Sequence, residues 1–239
     1  VVNREFMKDE AGYCCPRTFA AGFEFLERNR EADNWLLHLE CFDPHEPFFA
    51  PARFREHYPT GYRGPLLDWP RYKRLEESGD EVAELRANYA ALATMCDSYF
   101  GKLLDFLDRH EMWEYTAVIL TTDHGFLLAE HDWWGKNRMP FFNEIAHIPL
   151  LVYHPSHAAQ GGSRRKALTQ TIDLMPTLLA LHGQAAPDSA EGYSLLPLLE
   201  QDAEIRKAAL YGMFGAGTNI TDGRYTYFLG NEVPSSSAS

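Results

Sequence analysis

The run Thr116-Ala117-Val118-Ile119-Leu120-Thr121-Thr122 constrains the fold of this chain more than any other segment. It is apolar and β-branched, too short for an ordinary helix, and closed by the polar tripeptide Asp123-His124-Gly125. Such a run reads as a central strand, and a strand of this kind needs helices packed over both faces. The flanking segments supply them. From Glu81 to His110 the residues Val82, Leu85, Tyr89, Leu92, Cys96, Tyr99, Leu103 and Leu107 recur along one helical stripe. Further upstream, Thr18 is placed to cap a helix carrying Phe19, Phe23 and Leu26 at spacings of four and three.

Other segments repeat the alternation. Trp35 to Phe42 is mostly apolar and reads as a buried strand, stopped by the loop Asp43-Pro44-His45-Glu46-Pro47. Ile148 to Tyr153 reads as a third strand. Asp173 is placed to cap another helix, with Pro176 in its first turn and Gly183 at its end. Arg224 to Leu229 reads as a late strand after the Asp222-Gly223 turn. Strands separated by helices predict an α/β fold with a largely parallel, mixed central sheet flanked by helices. Residues 51–80 hold many Arg, Tyr, Pro and Gly without a period and read as a surface excursion.

Composition narrows the function. The 239 residues are 45% apolar, enough for one large core or two small ones. Acidic residues outnumber basic ones 34 to 22, a net charge of −12 that argues against a nucleic-acid binder. An anionic small substrate stays compatible, because a metal or a few focused cations reverse the local field. No apolar run nears the roughly 18 residues of a membrane span. Val1 rather than Met opens the sequence, so the lack of a leader says nothing of compartment. Cys14, Cys15, Cys41 and Cys96 have no zinc-site spacing and form no disulfide framework; Cys41 and Cys96 read as small buried hydrophobes. The tail Pro234 to Ser239 reads as frayed.

Ligands of open α/β sheets bind beyond the carboxyl ends of strands. Two such ends are polar here, Asp43-Pro44-His45 and Asp123-His124-Gly125. A carboxylate beside an imidazole suits a divalent ion once the chain bends, and Gly125 permits that bend. The competing reading makes Asp123 a turn cap and His124 a satisfied polar residue. The loop that follows, Phe126 to Lys136, is dense in functional side chains: Lys136 can neutralise an anionic oxygen, and His131 can relay a proton or hold the loop. No GxSxG elbow, GxGxxG or Walker A loop is present, so serine-hydrolase and nucleotide-cofactor chemistry have no support.

Taken together, four stretches resemble the sulfatases of the alkaline-phosphatase superfamily. They are Phe42-Asp43-Pro44-His45-Glu46-Pro47-Phe48, Thr121-Thr122-Asp123-His124-Gly125, Glu130-His131 through Trp134-Gly135-Lys136, and Ile148 to Tyr153. The segments Ile172 to Leu179 and Gly192 to Leu199 resemble later landmarks of that family. The resemblance implies an alkaline-phosphatase-like fold, with a catalytic domain over 1–205 and the start of a small C-terminal antiparallel sheet over 206–239. It implies Asp123 and His124 as metal ligands, calcium first and manganese or zinc as alternatives. It makes His45 the group that contacts the sulfuryl moiety or protonates the leaving alcohol, and Lys136 the group that binds a sulfate oxygen. The implied substrate is a small anionic sulfate ester, a sulfated sugar among the options.

These roles fit the reaction. An anion attacked by an electron-rich group needs positive charge where the nucleophile enters and an acid where the alcohol leaves. The family's nucleophile motif, Cys or Ser followed by x-Pro-x-Arg, has only a near miss in Cys14-Cys15-Pro16-Arg17-Thr18, which reads instead as loop before the first helix. No Asp-Asp pair occurs. The expectation is therefore a partial chain that alone binds metal weakly and hydrolyses nothing at a useful rate. The alternatives are a phosphonate or phosphate monoester hydrolase of the same superfamily, and a non-catalytic relative that binds anionic glycans.

Overall fold

The computed structural model describes residue 5, residues 7–213 and residues 217–229; the tail read as frayed lies outside these. The chain forms two compact units, Val1–Glu114 with Leu128–Gly135, and Tyr115–Leu127 with Lys136–Ser239. Among the described residues no helix is long and apolar enough to cross a membrane.

The first unit is built on α1 (Cys14–Asn29), α2 (Ala52–Arg55) and α3 (Gly79–Arg109). Helix α1 starts at Cys14 with Tyr13 as its N-cap, four residues before Thr18, so Cys14 to Arg17 are helical rather than loop. Pro16 is tolerated because the first turn of a helix has no intrahelical use for its missing N–H. Helix α3 follows its stripe and opens with a capping box in which Ser78 and Glu81 satisfy each other's backbone N–H groups. Cys15, Phe19, Leu26, Leu85, Leu92, Met95, Phe106 and Leu107 are buried, and Phe19 meets Tyr99 at 5.9 Å between ring centroids. Glu10 ties this packing at the surface, accepting both Arg53 N–H groups at 2.6 Å and the Tyr99 hydroxyl at 2.8 Å.

Residues 35–42 are not a strand, and the segment is not buried on both faces. Trp35, Leu37, Leu39 and Cys41 are half-buried while Leu36, His38, Glu40 and Phe42 are exposed, the period-two pattern of an extended segment packed on one side. That side lies on α1. Trp35 meets Phe25 edge-on at 5.8 Å, and a Cβ at Gly22 would fall 2.6 Å from Leu39. Cys41 and Cys96 are half-buried, and the fully buried thiol is Cys15. Within the excursion Phe54 enters the core, as does Phe48 just before it, leaving Tyr58, Leu66 and Trp69 exposed.

The second unit holds β1 (Val118–Thr121), α4 (Asn143–Ala146), β2 (Leu150–Tyr153), α5 (Leu174–Leu181), α6 (Leu196–Glu200) and the strands β3 (Ala209–Gly212), β4 (Thr218–Thr221) and β5 (Thr226–Phe228). β1 pairs antiparallel with β2, from Val118↔Tyr153 to Thr121↔Leu150. The reason lies in the connection: a parallel pair needs a crossover, and in this unit the only helix between these strands is the four-residue α4. β3, β4 and β5 form the small antiparallel sheet expected near the C-terminus. Its last turn uses Gly223 at φ 84° and the Asp222 carboxylate, which accepts the Arg224 and Tyr225 N–H groups.

Asp173 is the N-cap residue of α5 as expected, but its side chain makes no capping bond to that helix and turns elsewhere. Its fully buried carboxylate faces Arg206 through two 2.5 Å hydrogen bonds and accepts the N–H groups of Gln170 and Tyr193 at 2.7 and 2.9 Å. Burial works to raise its pKa, and these donors, Arg206 foremost, more than offset that and leave it lowered.

Candidate functional site

In the second unit, β1 ends at Thr121 and the chain bends through Thr122-Asp123-His124-Gly125. The bend is clamped to α4. Gly125 donates its N–H to the Ile145 carbonyl at 2.8 Å, and a Cβ at Gly125 would lie 1.8 Å from the Glu144 carbonyl oxygen. Only glycine permits that approach.

In this bend the Asp123 and His124 side chains face each other. Asp123 Oδ2 stands 3.4 Å from His124 Nε2, with Asp123 82% exposed. Asp123 Oδ1 accepts the His124 N–H at 2.9 Å and the Thr122 hydroxyl at 3.3 Å, which is the turn-capping role of the competing reading. One oxygen therefore holds the bend and the other faces the imidazole. His124 Nδ1 lies 2.9 Å from the Gly125 carbonyl, which can only accept, so Nδ1 carries the proton in that contact. In the neutral ring Nε2 then points a lone pair at a carboxylate oxygen, an arrangement that a shared cation stabilises. A metal-bound histidine is characteristically fixed in the same way, by donating its second ring N–H to a carbonyl or carboxylate.

Two donors are only part of a coordination shell, and among the described residues no group of three or more His, Cys, Asp or Glu is placed to hold an ion. Asp123 and His124 fit a divalent ion as one pair of ligands. A carboxylate suits calcium, while the imidazole suits manganese or zinc better. Lys136 belongs to the same unit, half-buried, its Nζ 5.9 Å from the Phe126 ring centroid.

His45 and His131 belong to the first unit. His45 Nδ1 donates to the Glu46 carbonyl at 2.7 Å, and its ring packs tilted against Phe42 at 4.3 Å between centroids. Beside it Asp43 accepts the Cys15 N–H at 2.9 Å. Burial raises the Asp43 pKa, against the pull of that N–H and of His45. His131 is exposed in a tight turn where Ala129, His131 and Asp132 all adopt positive φ, at 76°, 56° and 59°. Such backbone is costly for residues with a Cβ and persists only where its surroundings enforce it. Here Leu75 donates to the Asp132 carbonyl at 2.9 Å, Trp134 donates to the Lys73 carbonyl at 2.9 Å, and the fully buried Trp134 ring donates to Glu77.

The sequence reading passed over Glu46, whose carboxylate is 2% exposed, accepts the Tyr72 hydroxyl and lies 3.4 Å from His45 Nδ1. Its only signal was an acidic residue inside an otherwise Pro- and Phe-rich stretch.

A sequence profile of the sulfatase family matches residues 5–184. The chain belongs to the sulfatase family. This sulfatase-family chain is 30% identical over 220 residues to the multifunctional alkaline phosphatase superfamily protein PehA of Trinickia caryophylli, covering 78% of the chain and 42% of PehA. It is 34% identical over 128 residues to the N-acetylglucosamine-6-O-sulfatase of Bacteroides thetaiotaomicron, covering 52% of the chain and 22% of that enzyme. In fold it resembles the phosphonate monoester hydrolase of Silicibacter pomeroyi, with a TM-score of 0.73 at 23% identity over 93% of the chain and 52% of the hydrolase. The chain thus spans less than half the length of these two sequence relatives. The alkaline-phosphatase-like α/β class expected from the sequence is the class of its structural neighbours.

Proposed function

We propose that this chain carries part of the site of a sulfuric ester hydrolase, acting on a sulfate monoester with a sulfated sugar as substrate class. The observation that supports it most is the Asp123 carboxylate facing His124 Nε2 at 3.4 Å, in a chain of the sulfatase family. Asp123 and His124 would hold a divalent ion, calcium first with manganese or zinc as alternatives, and the ion would supply charge stabilisation for the sulfuryl oxygens.

The remaining steps belong to the side chains. Lys136 binds an ester oxygen and neutralises part of its charge. His45, protonated on both ring nitrogens, gives its Nε2 proton to the departing alcohol oxygen and is left as the neutral ring whose Nδ1–H stays on the Glu46 carbonyl. His131 serves the same reaction as a proton relay or as a contact for the ester. A sugar sulfate is favoured because a sequence relative is an N-acetylglucosamine-6-O-sulfatase.

A second reading, phosphonate monoester hydrolysis, is favoured by the fold likeness to the Silicibacter pomeroyi hydrolase. Initial rates on an aryl sulfate, glucosamine-6-sulfate and an aryl phosphonate, measured in the full natural polypeptide carrying this sequence, separate the two. Faster turnover of the sulfates supports the first reading, and turnover of the phosphonate alone overturns it.

A further inference from the structure

Glu46 is one of the few acidic side chains withdrawn almost completely from solvent, at 2% exposure, and a carboxylate is buried at a cost unless donors surround it. The Tyr72 hydroxyl donates to its Oε1, while the His45 imidazole stands 3.4 Å from its Oε2 without a hydrogen bond to it, the Nδ1–H going to the Glu46 backbone carbonyl at 2.7 Å. Tyr72 is itself held by its surroundings. Its ring packs so closely on Gly135 that a Cβ there would lie 2.8 Å away, and its neighbours Lys73 and Leu75 bond Trp134 and Asp132.

We propose that Glu46, anchored by Tyr72, is the positioning residue of His45: it holds a proton at Nδ1 throughout, so that Nε2 is the nitrogen that gives up its proton to the leaving oxygen of the ester. The inference rests on the reading of His45 as the reacting imidazole. The Glu46 carbonyl accepts from Nδ1, the carboxylate sets its charge 3.4 Å from the same nitrogen, and the Tyr72 bond holds the carboxylate there. Negative charge at Nδ1 favours the proton there over Nε2.

The test is ¹⁵N NMR of the histidine-labelled 239-residue chain at about pH 8.5, above the ordinary histidine range. In the unmodified chain His45 is expected almost entirely as the Nδ1–H tautomer. Glu46→Gln, close in shape but uncharged, should lower the ratio of Nδ1–H to Nε2–H at least threefold; Tyr72→Phe should lower it by less, and Glu46→Asp should restore part of it. An Nε2–H tautomer in the unmodified chain overturns the inference. So does a ratio unchanged within twofold in folded Glu46→Gln, or in Tyr72→Phe should the first variant not fold. A tautomer that responds to Glu46, with a full natural polypeptide that hydrolyses no ester, leaves this inference standing and removes the functional reading instead.

Discussion

Replacing Gly125 by alanine tests whether the bend after β1 is built around one backbone contact. The added methyl would sit 1.8 Å from the Glu144 carbonyl oxygen, 2.9 Å from its carbon and 3.3 Å from Ile145 Cα. An ordinary C···O contact is about 3.3 Å or more, so the two segments must part by roughly 1.5 Å. The Gly125 N–H to Ile145 carbonyl bond, now 2.8 Å, would then be stretched past hydrogen-bonding range. Losing that bond costs about 1–2 kcal/mol, and loosening the buried Ile145 adds a similar amount, for a total of about 3 kcal/mol. Gly101→Ala in α3 is the matched control: nothing lies within 4 Å of the added methyl, and a mid-helix glycine replaced by alanine gains about 0.5–1 kcal/mol. Thermal unfolding followed by circular dichroism should show Gly125→Ala melting several degrees lower and Gly101→Ala slightly higher. A Gly125→Ala chain that melts with the unmodified one refutes the clamp.

Three further outcomes follow from the charged contacts. Arg206→Ala leaves the buried Asp173 carboxylate without its cation and should destabilise the chain by about 3–5 kcal/mol in urea unfolding; a loss below 1 kcal/mol would show the pair to be dispensable. The Arg53 guanidinium, working against burial and helped by Tyr99, holds the Glu10 carboxyl down at about 2, so its stabilisation is complete above the ordinary glutamate range and disappears as pH falls from about 4.5 toward 2. Because Arg53 is half exposed, Arg53→Ala should cost only about 1 kcal/mol at pH 7 and nothing near pH 2, and a pH-independent loss contradicts the linkage. Asp43 has the opposite sign: its pKa is raised, so its penalty grows as pH climbs through the raised value. Asp43→Asn, which retains an acceptor for the Cys15 N–H, should raise the melting temperature at pH 7 and leave it unchanged at pH 3.

Much of this was legible in the residue pattern. Some signals transferred well: the α3 stripe, the β-branched run of β1 and the Asp222-Gly223 turn each pair a local preference with the observed structure. Residues 35–42 misled because an apolar run does not reveal whether one face or both are covered. The start of α1 misled because Thr18 looks like a cap, whereas Pro16 is equally at home inside a first turn. Asp173 was found, but its partner Arg206 is 33 positions away and no local pattern could supply it. The same limit hid Glu46: Tyr72 is 26 positions distant, and a buried carboxylate looks like any surface glutamate until its donor is located. Asp123 and His124 could be read as candidates because adjacency and Gly125 suffice to suggest a bend, yet the Glu144 contact that enforces it lies beyond any local window.

Central to the proposed function is one cation held by Asp123 and His124. Isothermal titration of calcium, manganese and zinc into the 239-residue chain tests it most directly. Weak binding of one divalent ion per chain is expected, at least tenfold weaker in an Asp123→Asn, His124→Gln double variant that unfolds at the same temperature. Binding of equal strength in that variant, or none in the unmodified chain, would contradict it.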